Sequence, residues 1–174
     1  MSVLANEAYD TIVTAEQVTG EELQTLINRG GRDSGPGLLH AAYTARKITA
    51  DAVAQIIGGV WSMADRPDRE LERDEWRTLF DAAGFTVDGE RKPRPDKPMT
   101  LFRGSVPERR TDWSWTYSIA IAAKYAGGKV PGRAVGKLWV CEVPPEAMLA
   151  INTERGEDEI VVDTRGLNIR EALR

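Results

Sequence analysis

Arg103, Ser114, Thr116, Glu157 and Glu159 are the residues whose types and spacing could do chemistry. Arg103 follows the apolar pair Leu101-Phe102 and precedes Gly104. A guanidinium at a strand end can present two parallel donors to a phosphate, which a lysine cannot match. Ser114 and Thr116 flank Trp115, so on a strand both hydroxyls share one face and the indole takes the other. Glu157 and Glu159 straddle Asp158 directly before Ile160-Val161-Val162. A carboxylate held beside developing positive charge lowers a barrier electrostatically, as it does in glycoside hydrolysis. Together these residue types suit one constellation that could hold a phosphate-bearing ligand beside a carboxylate.

Each group also has a plainer reading. Arg103 could be one half of a surface ion pair. Residues 113–116 could be an amphipathic strand with Trp113 and Trp115 in the core. Residues 154–159 could be no more than a charged turn. Cys141 sits in the apolar run Leu138-Trp139-Val140-Cys141 and reads as a buried thiol. His40 reads as a polar helix residue and is given no catalytic role.

Those residues need elements to hold them. Thr14-Ala15-Glu16-Gln17 and Thr19-Gly20-Glu21-Glu22 both fit a capping box. The second opens a helix with Leu23, Leu26 and Ile27 on one face, ended by Gly30-Gly31. Gly35-Pro36-Gly37 reads as a turn into a helix over 38–47. Thr49 caps the next helix, whose apolar residues Val53, Ile56, Ile57, Val60, Trp61 and Ala64 recur at helical spacing. Pro67 interrupts, and 74–83 is a further helix stopped by Gly84. Residues 1–13 have weak pattern. The charged, Pro-containing stretch 87–98 reads as a linker or extended lead-in.

From residue 99 the texture turns strand-like. Strands are expected at 99–102, 113–116, 136–143, 148–152 and 159–163, with a helix over 118–126. Residues 167–172 are a last strand or a fraying tail. The fold class is therefore α+β: a helical N-terminal part, residues 1–95, packed on a small mixed or antiparallel β core, residues 96–174. The two parts are expected to form one compact unit.

Composition excludes several classes. Hydrophobic content is 41% and charged content 29%, ordinary for a globular protein. No apolar run approaches the ~20 residues of a membrane helix, and the N-terminus lacks the basic and apolar regions of a secretory signal. A net charge of −4 disfavours a long nucleic-acid backbone as partner, while leaving room for a small local patch. One His and one Cys do not build a usual zinc site. The single Cys also fits a reducing cytoplasm.

The order Leu101-Phe102-Arg103-Gly104, then Ser114-Trp115-Thr116 running into the small-residue stretch 119–126, then Gly156-Glu157-Asp158-Glu159-Ile160, resembles the mono-ADP-ribosyltransferases of the arginine–serine–glutamate class. That class includes cholera-toxin-like and clostridial C3-like enzymes. The resemblance covers residues 99–165, and the helical first half carries no family motif. It implies an ADP-ribosyltransferase-type core and NAD+ as substrate, without a metal. It implies that Arg103 and Gly104 bind the dinucleotide, that Ser114 orients both ribose and catalytic glutamate, and that Glu159 stabilises the cationic transition state as nicotinamide departs. Glu157, at the position that activates the acceptor, points to a protein arginine as acceptor. Thr116, Trp115 and Tyr125 join the cofactor-binding set, with Trp113 and Tyr117 as further candidates for an aromatic wall. Residues 152–156 correspond to the loop that meets the acceptor. The family pattern has Ser-Thr-Ser where this chain has Ser114-Trp115-Thr116. Water or a nucleic-acid base are alternative acceptors, and a non-enzymatic module with the same fold is the remaining alternative. The implied setting is a cell's cytoplasm, or a host's if the chain belongs to a phage, with a cellular protein as partner.

Overall fold

The computed structural model describes residues 3–64, 66–153, 156 and 158–172, without the side chains of Asp68 and Arg69. The chain forms two compact units, Met1–Lys92 and Pro93–Arg174. The division falls three residues before the boundary expected from composition. Among the described residues, no helix is long and apolar enough to cross a membrane.

The first unit is helical. Helix α1 spans Val3–Thr14, α2 Gly20–Gly30, α3 Gly35–Thr44, α4 Ala50–Met63, α5 Pro67–Glu70 and α6 Arg73–Ala83. The capping box of α2 forms as expected. Thr19 Oγ1 accepts from the Glu22 amide at 3.2 Å, and Glu22 Oε2 accepts from the Thr19 amide at 2.8 Å. Thr49 caps α4 in the same way, accepting from the Ala52 amide. Leu23, Ile27, Val53, Ile57, Val60, Leu79 and Phe80 are buried. Trp61 meets Trp76 edge-on with centroids 4.9 Å apart, an arrangement worth about 0.5–1.5 kcal/mol beyond its burial.

Three expectations for this unit need correction. Residues 3–13 are helix, and Thr14 ends α1 rather than opening a helix; its hydroxyl donates back to the Asp10 carbonyl. The buried stripe of α1 is Ala5, Ala8 and Ile12, and two alanines are a faint apolar signal. Gly35-Pro36-Gly37 is the first turn of α3 rather than a lead-in to it. Proline suits the first helical turn, where its missing N–H has no partner to lose. Finally, 87–98 is not all linker. Strands β1 (Thr86–Val87) and β2 (Glu90–Arg91) form a hairpin around Asp88-Gly89, whose φ values of 49° and 78° are both left-handed. An Asp-Gly pair is a favoured occupant of such a turn.

The second unit is a sheet with one helix. Its strands are β3 (Met99–Ser105), β4 (Ser114–Thr116), β5 (Lys137–Val143), β6 (Met148–Asn152), β7 (Glu159–Val162) and β8 (Arg170–Glu171). They lie in the order β6-β7-β4-β3-β5-β8, and each neighbouring pair is antiparallel. The α+β class holds. Leu101, Cys141, Val143, Met148, Leu149, Ile160, Val161 and Val162 are buried. Helix α7 (Ile119–Ala126) is capped by Ser118, whose Oγ accepts from the Ile121 amide, and it packs on β3.

Candidate active site

Sheet order explains why residues far apart in sequence meet. β4 lies between β3 and β7, so the strand carrying Ser114 separates the strand carrying Arg103 from the one carrying Glu159. The β4–β7 register pairs Ser114 with Val161, Trp115 with Ile160 and Thr116 with Glu159. Residues two apart on a strand share a face, which puts Ser114, Thr116, Glu159 and Val161 on one side. The diagonal pair then closes. Ser114 Oγ donates to Glu159 Oε1 at 2.5 Å.

The other carboxylate oxygen is held from the opposite neighbour. Asn152 is the register partner of Glu159 on β6, and its Nδ2 donates to Glu159 Oε2 at 3.2 Å. Both oxygens of the carboxylate are therefore hydrogen-bonded from flanking strands, which fixes its plane. Glu159 itself is only half-buried.

Arg103 is placed by β3 and turned towards the β3–β4 loop. Its Nε donates to the Arg109 carbonyl at 2.9 Å, Nη1 to the Ser114 carbonyl at 2.5 Å, and Nη2 to Asp112 Oδ2 at 2.9 Å. Arg109 Nε reaches the same Asp112 oxygen at 2.7 Å. The Arg103 side chain is 11% exposed and that of Asp112 14%. Burial pushes the Arg103 guanidinium down to about 10, against the pull of Asp112. Arg109 and Arg133 lie near enough to push the same way, and Glu159 near enough to oppose them. At neutral pH Arg103 is still a cation. Arg109 and Arg133 thus add positive charge around Arg103, and Asp112 and Glu159 offset it.

The ion-pair reading of Arg103 and the cleft reading are both partly met. The pair with Asp112 is real, but it is buried rather than on the surface. Three of the five guanidinium N–H groups bond to the protein. Arg103 is thereby a tie between β3, the loop and the Ser114 backbone, and this narrows its part as a phosphate anchor.

The remaining expected residues divide sharply. Gly104 does not open a ligand surface: a Cβ there would lie 2.0 Å from the Ala122 carbonyl oxygen and 2.4 Å from the Ala126 nitrogen. Helix α7 occupies that side, so the glycine seats the helix. Trp115 is 2% exposed, and its indole N–H donates to the Asp112 carbonyl at 2.8 Å. It is core, on the face away from Ser114, and so is Trp113 at 3% exposed. Thr116 is buried, and its Oγ1 accepts from the Ser118 amide at 3.1 Å, shaping the turn into α7. Tyr125 is half-buried on α7, beside Gly104. Tyr117 is half-exposed at the end of β4. Glu157 lies outside the described residues. Arg103, Ser114 and Glu159 are the members of the expected set that the fold brings into one bonded group.

Sequence reasoning missed the supporting residues. Asp112, in the β3–β4 loop, carries no motif of its own in the sequence, and only its bonds to Arg103 and Arg109 give it a part in the site. Asn152 was placed in an acceptor-facing loop. A β6–β7 hairpin closing over residues 153–158 would have set it opposite Glu159. No protein-family model matches this chain, and neither a curated protein nor a solved structure matches it.

Proposed function

We propose that the Pro93–Arg174 unit is a mono-ADP-ribosyltransferase that moves ADP-ribose from NAD+ to a protein side chain, arginine being the favoured acceptor. The observation that carries this reading is the Ser114–Glu159 hydrogen bond, with the Arg103 guanidinium on the Ser114 carbonyl. The motif resemblance gives Arg103, Ser114 and Glu159 in that order along the chain, and their strands β3, β4 and β7 are neighbours in the sheet.

The chemistry asked of these residues is simple. Nicotinamide leaves with the electron pair of its glycosidic bond, and the ribose carbon becomes cationic. A carboxylate oriented at both oxygens stabilises that charge without having to reorganise as it forms. In this reading Glu159 is the carboxylate, and Ser114 and Asn152 hold its plane. The nitrogen of the acceptor then bonds to the ribose carbon and loses a proton to a base, the part the resemblance assigns to Glu157. Arg103, Arg109 and Arg133 supply a positive field for the diphosphate. The fit is one of charge and hydrogen-bond type.

Incubation with NAD+ labelled in the adenylate half, with and without an arginine-rich protein acceptor, tests this. Acceptor-dependent label transfer with release of nicotinamide is expected from the intact chain. Glu159→Gln is expected to retain NAD+ binding and to lose turnover by about two to three orders of magnitude. Nicotinamide release that is independent of acceptor would assign the chain to NAD+ hydrolysis instead. No thermal shift and no calorimetric heat with NAD+ would remove both enzymatic readings.

A further inference from the structure

Helices α1 and α2 leave a cleft between them of about 380 Å³, a volume within the range of ligand pockets. Its lining is mostly apolar, from Ala15, Val18 and Leu26, with Glu21, Glu22 and Thr25 beside them. Ala15 and Leu26 are only half-buried, so apolar surface stands open to water there. Ala15 continues the turn of α1, its amide donating to the Thr11 carbonyl at 3.0 Å. Leu4, 55% exposed, shares a helical stripe with Thr11 and Ala15. The polar side chains that line the cleft are all exposed. A small-molecule site encloses its ligand and aims a few polar groups at it. This open cleft suits a segment of a larger partner lying across it.

Charge decides which segment. Residues 3–28 hold Glu7, Asp10, Glu16, Glu21 and Glu22 and no Lys, Arg or His. Five carboxylates against no base give −5, where the whole chain carries −4. The Thr19 amide and hydroxyl both donate to the Glu22 carboxylate, which keeps it ionised. Arg46 and Lys47 meet the α1–α2 turn through their backbone: the Val18 amide donates to the Lys47 carbonyl at 2.7 Å and Gln17 Nε2 to the Arg46 carbonyl at 3.2 Å. Neither of those two residues lines the cleft, so its own charge is that of Glu21 and Glu22. Complementary charge steers encounter and selects partners. We propose that the α1–α2 cleft docks a basic protein segment in which an apolar side chain lies between arginines or lysines. The apolar side chain packs on Val18 and Leu26, and the cations meet Glu21 and Glu22. This gives the helical unit a part in partner recognition. It goes beyond the transferase reading and does not rest on it.

The experiment titrates the full chain, without NAD+, into three short fluorescent peptides and follows anisotropy at low salt. One peptide intersperses Arg with Leu, one Arg with Ser and one Glu with Leu. The Arg–Leu peptide should bind, and more weakly as salt is raised. The Arg–Ser and Glu–Leu peptides should bind at least about tenfold more weakly. Glu21→Lys, which leaves the capping carboxylate Glu22 in place, should weaken the Arg–Leu peptide about three- to tenfold. Leu26→Ala should weaken it about threefold or more. Far-ultraviolet circular dichroism checks that both variants stay helical. Glu146→Lys makes the same charge change at an exposed position of the other unit and should leave binding as in wild type. Absence of binding by the Arg–Leu peptide would overturn the proposal. So would equal binding of the Arg–Ser peptide, which would leave only a charged face, or an equal loss in Glu146→Lys, which would leave only net charge. Wild type that self-associates in sedimentation while Glu21→Lys stays monomeric would make a second copy the occupant and overturn it too. A chain that docks the peptide but releases no nicotinamide from NAD+ loses the transferase reading and keeps the cleft.

Discussion

Ser114 Oγ stands 2.5 Å from Glu159 Oε1 although the two residues are not register partners: Ser114 pairs with Val161, and Glu159 with Thr116. The bond is diagonal across the β4–β7 ladder, and it leaves Asn152 to take the other carboxylate oxygen from β6. A diagonal contact of this kind is within reach only because Ser114 and Glu159 share a face of a twisted antiparallel pair. The carboxylate is oriented from both sides before any ligand arrives.

Removing the serine hydroxyl should free one carboxylate oxygen and leave the rest of the strand in place. Ser114→Ala is expected to lower NAD+ turnover on the order of tenfold, since one hydrogen bond to a charged group is worth about 1.5–3 kcal/mol in full and Asn152 remains. The thermal midpoint should move little, because Trp115 and the β4–β7 ladder persist. Nicotinamide release followed by chromatography measures the first. A turnover equal to wild type would remove Ser114 from the mechanism.

Arg103 should behave as a structural tie before it behaves as a ligand contact. Arg103→Ala leaves Asp112 buried with Arg109 as its remaining cation and strips bonds from the Ser114 and Arg109 carbonyls. Breaking a buried pair by removing one partner costs about 3–5 kcal/mol, and the surviving Arg109 pair reduces that to roughly 2–4. Arg103→Lys should recover only part of the loss, because an ammonium cannot address three acceptors from one planar fork. Urea unfolding of the three proteins measures this. Equal midpoints for wild type and Arg103→Ala would show that the tie carries no stability.

Gly104 is a packing glycine. Gly104→Ala puts a Cβ inside the Ala122 carbonyl and the Ala126 amide, both backbone atoms of α7, so the helix must move. Overpacking of this kind costs typically about 1–3 kcal/mol. A lowered urea midpoint is the expected result, and a displaced α7 should also disturb the turn that Thr116 holds at Ser118. A variant as stable as wild type would mean that α7 is free to shift.

Cys141 should be slow towards thiol reagents in the native protein. It is buried on β5, and burial, reinforced by Glu142 and opposed by Arg170, holds its thiol above the ordinary range. The sign follows from linkage. With the folded value above the unfolded one, the stabilisation is fully present below the ordinary thiol value of about 8.5 and is lost as pH rises through the folded value. Stability should therefore decline above about pH 8.5, and Cys141→Ala should flatten that slope. Urea midpoints across pH 7–11 measure it.

Local chemistry carried much of this protein in plain view. The Thr19 and Thr49 caps, the apolar stripes of α2, α4 and α6, and the run of short strands after residue 99 are set by hydrogen-bonding side chains and by period. Both act over a few neighbouring residues, so they survive in a one-dimensional reading. The candidates Arg103, Ser114 and Glu159 were legible for the same reason: each stands at a fixed offset from an apolar strand. The same reading passed over the hairpin at Asp88-Gly89 and the Ala-faced helix α1, where the local signal was short or faint.

What remained belongs to contacts between segments distant in sequence. Ser114 and Glu159 are joined because β4 pairs with β7, 45 positions on, and no local pattern encodes that pairing. The roles of Asp112 and Asn152 emerge only once β3 and β6 take their places in the sheet. Arg103 was a free donor in the sequence, and the fold commits three of its bonds to the protein. Gly104 and Trp115 stood beside chemistry in the sequence, and packing turned them into a seat for α7 and a piece of core. Side-chain type is a property of one residue, whereas burial and partnership are properties of what the folded chain places around it.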